Sequence, residues 1–381
     1  MSSMTTILGG KRVLICAGSG GVGKTTTSAA IAAGMAARGK KVAVLTIDPA
    51  KRLADSLGLP ELGNEERQVD PALFSEAGVD ENSGELWAMM LDPKATFDEV
   101  VAKHAPDEET RERILSNRIY QQLSSALAGS QEYMAMEKLY EIWASDRYDL
   151  LVLDTPPSQN ALDFLDAPQR LLQFIEGKAI KVFMAPTGIA AKIAGRGAGV
   201  AFSVLKRLTG VDLLEDLAEF FQAFSGMVGG FQERAKKVNE LLADPQSMFL
   251  IVCGPQGDPI EQAVEFHQKL ADRKLPFGGA VVNKVHYADP GNAKTARTAL
   301  GEVLDDDDLA DRVAANFDDY SALAERDARN IERLEGDMGA DCVIQVPYLD
   351  EDVHDLAGLM EVNRYLFATG AEERFAIATS A

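Results

Sequence analysis

Short apolar runs alternate with helical segments along most of this chain. Seven runs have the length and composition of buried strands, and they lie at residues 11–17, 42–47, 85–92, 148–154, 248–254, 277–285 and 342–347. Helical patterns follow several of them, for example at 25–39, 261–274 and 356–367. Because strands buried on both faces are apolar throughout, the pattern predicts an α/β fold: a doubly wound, mostly parallel sheet with helices on both faces.

Two longer stretches keep helical spacing without any strand between them. In the first, apolar residues recur every three or four positions at Ile114, Leu115, Ile119, Leu123 and Leu127. We interpret the two stretches as one inserted all-helical subdomain, formed by residues 97–145 and 166–245, on a core formed by residues 1–96, 146–165 and 246–381. The stripe of Phe220, Phe221 and Phe224 in the second stretch favours a core position over a client groove.

A glycine-rich loop joins the first predicted strand to the first helix. Gly18, Gly23, Lys24 and Thr25 occupy the fixed places of the phosphate-binding pattern GxxxxGK[ST]. The residues expected to bind nucleotide are Gly18, Ser19, Gly20, Gly21, Val22, Gly23, Lys24, Thr25 and Thr26. In such loops main-chain amides surround a phosphate, the lysine reaches the β and γ phosphates, and the hydroxyl after it ligates Mg²⁺. The alternative, a glycine-rich turn with an incidental lysine, does not explain the order of strand, loop and helix.

Two aspartates close neighbouring strands of the predicted sheet. Asp154 ends the run LLVLD, where a rigid carboxylate suits a partner of Mg²⁺; an ordinary strand cap is the alternative. Asp48, in TIDPA, is a candidate to orient the water that attacks the γ-phosphate, and a turn-forming Asp-Pro is its alternative. Since ligands bind at the carboxyl ends of strands in such sheets, both residues are expected beside the glycine loop.

Composition limits the class of protein. The 381 residues carry 38 basic and 59 acidic side chains, a formal charge of −21, which makes general nucleic-acid binding unfavourable. The three cysteines and four histidines are dispersed, so neither a disulfide framework nor a metal cluster is expected. We find no signal peptide and no apolar run long enough to span a membrane, so a cytoplasmic protein is expected, with membrane association left open.

Several segments of the chain resemble those of one family, the arsenite-pump and tail-anchored-protein-targeting ATPases. DPAKRLADSLG resembles its switch I, LDTPPSQNAL its switch II, VVNKV its adenine-reading strand end, and VPYLDEDVHDL its C-terminal loop. The resemblance implies a Mg²⁺-dependent ATPase that dimerises with two ATP molecules facing each other. It also implies that Asp48 positions water, that Asp154 is associated with Mg²⁺, and that Asn283 and Pro347 contact the nucleotide.

The chain departs from that family pattern at several positions, and the first of them bears on the dimer. The wider dimerising class carries a second lysine where this chain has Ser19. Lys51 or Arg52 could substitute, a related subunit could donate the lysine in a heterodimer instead of a homodimer, or hydrolysis could be slow; we favour the heterodimer. The zinc-binding CxxC and the arsenite-binding cysteines of some members are absent, and Asn160 replaces a switch II histidine.

Residues 177–211 form a basic segment with no acidic residue. Such a segment suits a membrane surface or a hydrophobic client, and equally an ordinary packing surface. The sequence therefore favours an ATP-hydrolysing switch that binds a hydrophobic or membrane-associated partner. The alternatives are a partition-type regulatory scaffold with little turnover and a ligase-like synthetase.

Overall fold

One sheet organises the protein in the computed structural model, which describes residues 3–48, 52–79, 83–126, 130–155, 165–167, 169–170, 173, 211–287, 297–299, 301 and 307–380. Within these residues the sheet has eight strands in the order β3-β4-β2-β5-β1-β6-β7-β8, and the only antiparallel pair is β3 with β4. The strands are β1 (Val13–Ala17), β2 (Lys41–Thr46), β3 (Arg67–Gln68), β4 (Glu85–Met90), β5 (Leu150–Asp154), β6 (Ser247–Cys253), β7 (Phe277–Val285) and β8 (Val343–Pro347).

Helices connect these strands in the described residues, and four of them follow one another between β4 and β5. They are α1 (Met4–Ile7), α2 (Lys24–Ala36), α3 (Arg52–Ser56), α4 (Pro71–Glu76), α5 (Pro93–His104), α6 (Glu108–Ser116), α7 (Arg118–Ala126), α8 (Ser130–Ala144), α9 (Val211–Ser225), α10 (Val228–Ala243), α11 (Gly257–Asp272), α12 (Asp307–Met338), α13 (Leu356–Leu366) and α14 (Ala371–Ser380). Two helices start on an Asp-Pro pair, at Asp70 and Asp92, because the aspartate accepts a first-turn amide while proline fits the first helical position.

The first face of the sheet is covered closely by α2 and α13. Small residues in α2, including Ala30, Ala33 and Gly34, let α13 approach it. A Cβ added at Gly34 would lie 2.5 Å from the Phe367 ring and 2.6 Å from the Asn363 side chain. Close packing of α2 fixes the helix whose first residue is Lys24.

The second face carries the helices inserted between β4 and β6. Phe220, Phe221 and Phe224 are at most 6% exposed and belong to the core cluster, so the core interpretation of this stripe is confirmed. The same helices bury an ion pair between Glu137, which is 1% exposed, and Arg234. The core of these helices is continuous with the buried residues on this face of the sheet.

The predicted fold class is confirmed, and three local features were not predicted. No element was predicted between the strands at 42–47 and 85–92 beyond the resemblance to switch I, but this region contains the two-residue strand β3 and helix α4. Helices α1 and α14 were not predicted, because their sequences lack a clear apolar period. The length of α12, which is 32 residues, was also not predicted. The division between core and helical subdomain stays a prediction, because packing of the inserted helices on the sheet does not itself set a domain boundary.

Candidate functional site

The glycine loop lies at an internal strand where the chain changes direction across the sheet. β1 is flanked by β5 and β6, and the chain passes from one side of β1 to the other between them. Ligand sites in open α/β sheets form at the carboxyl end of such a strand. All five residues of β1 are buried, so the loop after Ala17 begins from a rigid base.

Two glycines of the loop are required by contacts with other strands. A Cβ at Gly18 would lie 1.9 Å from the main-chain oxygen of Val252 in β6. Gly23 has a φ of 91°, and a Cβ there would lie 2.2 Å from the Asn283 amide nitrogen. A side chain at Gly18 would push the loop away from β6, because the atom that it meets belongs to the main chain. A side chain at Gly23 would strain the backbone at its positive φ and displace the Asn283 amide.

The loop ends at a helix terminus whose amides are not capped by a side chain. Helix α2 begins at Lys24, and its N-cap residue, Gly23, has no side chain to accept the first amides. Those N–H groups and the positive end of the helix dipole are therefore available to an anion.

Asp154 lies at the centre of a buried hydrogen-bonded cluster at the end of β5. Its Oδ2 accepts hydrogen bonds from the hydroxyls of Thr25 (2.7 Å) and Thr46 (2.9 Å). Its Oδ1 is buried and has no hydrogen-bond partner among the described residues. Burial raises the pKa of Asp154 to about 6, while the two hydroxyls and the Lys24 ammonium oppose that rise.

Lys24 is almost as buried as Asp154. The side chain is folded back, and its ammonium donates a hydrogen bond to the main-chain oxygen of Ser19 at 2.8 Å. Burial lowers the pKa of Lys24, and the carboxylates of Asp154 and Asp48 act in the opposite direction. The hydroxyl oxygen of Ser19 is buried without a described hydrogen-bond partner. A cation and an unsatisfied hydroxyl therefore lie together within the loop.

Asp48 lies beyond the end of β2, and Thr46 links it to the cluster. The main-chain N–H of Asp48 donates to the Thr46 hydroxyl at 3.2 Å, and that hydroxyl donates in turn to Asp154. Thr46 was not among the site residues predicted from the sequence. Strand register is the signal that could have identified this residue, because Thr46 lies directly opposite Asp154 in the pairing of β2 with β5.

The expected nucleotide contacts at β7 and β8 lie at the same edge of the sheet. The Asn283 amide donates to the main-chain oxygen of Val22, in the glycine loop, at 2.9 Å. Pro347 ends β8 beside Val285 of β7 and is buried. The structure thus brings Asn283 into contact with the loop and places Pro347 on the neighbouring strand.

Cys16 lies next to this cluster but has no sign of reactivity. Burial raises the pKa of its thiol to about 12, which keeps the sulfur protonated. Cys253 is also buried, and Cys342 is only partly so. Within the described ranges no group of three histidine, cysteine, aspartate or glutamate side chains could hold a metal ion.

Some sequence predictions fall outside the described residues. These are Pro49, Lys51, Asn160 and the basic segment up to residue 210. Of the helices that the structure describes, none combines the length and apolar character that crossing a bilayer requires.

Comparison with known proteins covers most of the chain. The family model described as anion-transporting ATPase matches residues 11–336. ATPase GET3 of Podospora anserina is 25% identical over 329 residues, which cover 85% of this chain and 88% of that protein. ATPase GET3 of Malassezia globosa is 24% identical over 356 residues, covering 93% and 90% of the two chains. The putative arsenical pump-driving ATPase 1 of Aquifex aeolicus is 28% identical over 288 residues, which are 72% of this chain and 63% of that protein.

Proposed function

This chain belongs to the anion-transporting ATPase family, and from that premise we propose that it is a Mg²⁺-dependent, dimeric ATPase whose nucleotide state controls binding of a hydrophobic or membrane-associated partner. ATPase activity and nucleotide binding follow from the family. The observation that supports the finer proposal is the buried cluster of Lys24, Thr25, Thr46 and Asp154 around an uncapped helix terminus.

The cluster fits Mg²⁺ held together with a phosphate. Asp154 has one buried carboxylate oxygen that lacks a partner, and hard oxygen atoms are what this ion prefers. The Thr25 hydroxyl would ligate the ion, and Asp154 would accept hydrogen bonds from water molecules around it. When bound, the ion neutralises negative charge that develops on the phosphate oxygens.

Lys24 and the loop amides hold the triphosphate in this proposal. The Lys24 ammonium now donates to the Ser19 main-chain oxygen, so it must exchange a neutral acceptor for a phosphate oxygen. Because the ammonium is buried, that charge-assisted hydrogen bond is strengthened by the low local dielectric. Asn283 and Pro347 would contact the base, while the Asn283 contact with Val22 connects base binding to the loop.

Asp48 is the proposed acceptor that orients the attacking water. Thr46 fixes the backbone of Asp48 and also contacts Asp154, so one hydroxyl joins the water-positioning residue to the residue beside the ion. Loss of the terminal phosphate would therefore alter two strand ends together. This connection is the proposed start of the signal to the helical subdomain.

The dimer needs positive charge from outside this loop, because Ser19 offers only a hydroxyl. Charges supplied in trans at such sites contribute on the order of a thousandfold or more to turnover. We place that charge on a related subunit in a heterodimer. ATP turnover by the isolated chain should then be slow, and Arg52→Ala should not change it. Addition of a related ATPase that co-purifies with the chain should raise the turnover. Fast turnover by the isolated chain would remove the heterodimer from the proposal.

Partner binding can be tested separately from turnover. An immobilised hydrophobic peptide should retain the protein in one nucleotide state, ATP or ADP, more than in the other. Lys24→Ala should remove that difference without removing the fold. Retention that is independent of nucleotide would contradict the switch, even if ATP is hydrolysed.

A further inference from the structure

Asp327, in helix α12, is a fully buried carboxylate that the proposed ATPase chemistry does not use. Its Oδ2 accepts two hydrogen bonds from a single residue, His286: one from the main-chain N–H at 3.1 Å and one from the ring Nδ1 at 2.7 Å. Its Oδ1 accepts a hydrogen bond from the Arg326 guanidinium at 2.8 Å. Because a carboxylate only accepts, Nδ1 of the imidazole carries a proton. Both oxygens of Asp327 are therefore used, and one of them is given entirely to His286.

His286 lies at the carboxyl edge of the sheet, directly after β7. Val285, the last residue of β7, accepts a main-chain hydrogen bond from Tyr348 at 2.9 Å, and Tyr348 directly follows Pro347 at the end of β8. The rings of His286 and Tyr348 are stacked, with their centres 5.7 Å apart and their planes at 13°. Asp327 is thus connected to the ends of both strands that carry the expected base contacts.

The strand ladders do not by themselves fix the position of Asn283. The pairing of β7 with β6 ends at Val282, and the register of β7 with β8 shifts between Val282 and Val285. Lys284 has a φ of 63°, which is uncommon for a residue with a side chain. Asn283 therefore lies in a short irregular segment, and the course of such a segment depends on what holds its two ends.

Asp327 holds this segment at its His286 end. Because one carboxylate oxygen accepts from both the main chain and the ring of His286, this residue can neither shift nor turn without losing a hydrogen bond. At the other end, the Asn283 amide donates to the main-chain oxygen of Val22 in the glycine loop. Only two residues separate Asn283 from His286, so a displacement of His286 would also displace the Asn283 amide.

Packing of α12 does not require this carboxylate. The helix contributes Ile331, Leu334 and Met338 to the core cluster on its face of the sheet. Buried charges are weak contributors to stability, because their desolvation offsets their attraction, and apolar side chains in such places are often equally stable. What the charged hydrogen bonds of Asp327 provide is a defined position for His286.

We propose that Asp327 is a positioning residue for the nucleotide base: through His286 it fixes the segment that presents Asn283. This role rests on the proposed function, because it requires that the base lies at Asn283. It concerns only the part of the ATP affinity that depends on the base, since the triphosphate is held by Lys24 and the amides of the glycine loop.

Comparison of ATP with inorganic tripolyphosphate, each titrated with Mg²⁺ into the full chain by calorimetry, isolates the contribution of the base. The parent should bind ATP more tightly than tripolyphosphate. Asp327→Ala should bind ATP about tenfold more weakly than the parent, the loss of about one hydrogen bond to the base, and should bind tripolyphosphate like the parent. Asp327→Asn keeps an acceptor oxygen for His286 and should restore most of the ATP affinity.

Two further variants make the comparison independent of Asp327→Ala alone. His286→Ala removes the ring contact and should cause a smaller loss of the same kind, for ATP and not for tripolyphosphate. Asp337→Ala removes an exposed aspartate near the end of the same helix and should bind both ligands like the parent. Circular dichroism verifies that each variant is folded.

Three results would overturn the proposal while ATP binding by the parent remains intact. These are unchanged ATP affinity in folded Asp327→Ala, equal weakening of ATP and tripolyphosphate, and a parent that binds tripolyphosphate as tightly as ATP. The second result would be expected if Asp327 supported the site only through general stability. Absence of uptake of both ligands by the parent would contradict the proposed function itself, and the role of Asp327 with it.

Discussion

Asp154→Asn should stabilise the nucleotide-free protein and abolish its Mg²⁺-dependent stabilisation by ATP. The two effects have opposite signs because the carboxylate is costly in the empty site and useful in the filled one. Asparagine keeps the shape of the side chain, and its amide oxygen can still accept hydrogen bonds from Thr25 and Thr46. The substitution therefore removes the charge with little change in packing.

The size of the first effect follows from the pKa of Asp154. Burial raises that pKa from its ordinary value of 3.8 to about 6, and about two pKa units correspond to about 3 kcal/mol. A raised carboxyl pKa penalises the ionised form, so this cost is absent below about pH 4 and complete above about pH 6. The new amide nitrogen takes the place of the unpartnered Oδ1, which costs about 1–3 kcal/mol. The expected net gain at pH 8 is about 0–2 kcal/mol.

Urea unfolding at pH 8 measures both effects. In EDTA without nucleotide, Asp154→Asn should be at least as stable as the parent. With MgATP at about a hundred times its dissociation constant, the parent should gain about 2.7 kcal/mol, and the variant should gain no more than ATP alone provides. A variant that loses more than about 2 kcal/mol in EDTA, or keeps the full Mg²⁺-dependent gain, would refute the reasoning.

Three further substitutions, the first with a matched control, test other parts of the structure. Glu137→Gln leaves the Arg234 guanidinium buried without its carboxylate and should cost about 3–5 kcal/mol in urea unfolding; Glu240→Gln, in an exposed pair, should cost less than about 1 kcal/mol. Phe224→Ala should cost about 3–5 kcal/mol with unchanged client binding per folded molecule, because the ring is core. Gly18→Ala should reduce ATP affinity at least about tenfold in a filter-binding assay, because its Cβ would lie 1.9 Å from a main-chain oxygen.

Each of these results has a clear opposite. Equal costs for Glu137→Gln and Glu240→Gln would mean that the pair between Glu137 and Arg234 is hydrated in solution. Loss of client binding by folded Phe224→Ala would make the stripe part of the client surface. Unchanged ATP affinity in Gly18→Ala would mean that the loop can move away from β6 at little cost.

The sheet and its ligand edge could be predicted from the sequence because both depend on local signals. The apolar runs at Val13–Ala17 and Leu150–Asp154 are long enough to identify buried strands, and the glycine pattern indicates the loop between β1 and α2. Strand β3 could not be predicted, since its two residues, Arg67 and Gln68, are exposed and pair only at the edge of the sheet. Such a strand depends on tertiary contacts with β4.

The site was predicted in part for the same reason. Lys24, Thr25 and Asp154 occupy positions with local sequence signals. Thr46 has no local sequence signal, because its importance comes from its register with Asp154 in the pairing of β2 with β5. The hydrogen bond between these two side chains joins residues that are 108 positions apart in the sequence.

Calorimetric titration of MgATP tests the central claim most directly, namely that the glycine loop holds the triphosphate through Lys24. The parent chain should take up MgATP at one site, and Lys24→Ala should bind at least about tenfold more weakly. Circular dichroism verifies that the variant is folded, and Lys94→Ala controls for loss of a lysine elsewhere and should bind like the parent. Absence of binding by the parent, or equal affinity of folded Lys24→Ala, would contradict the claim.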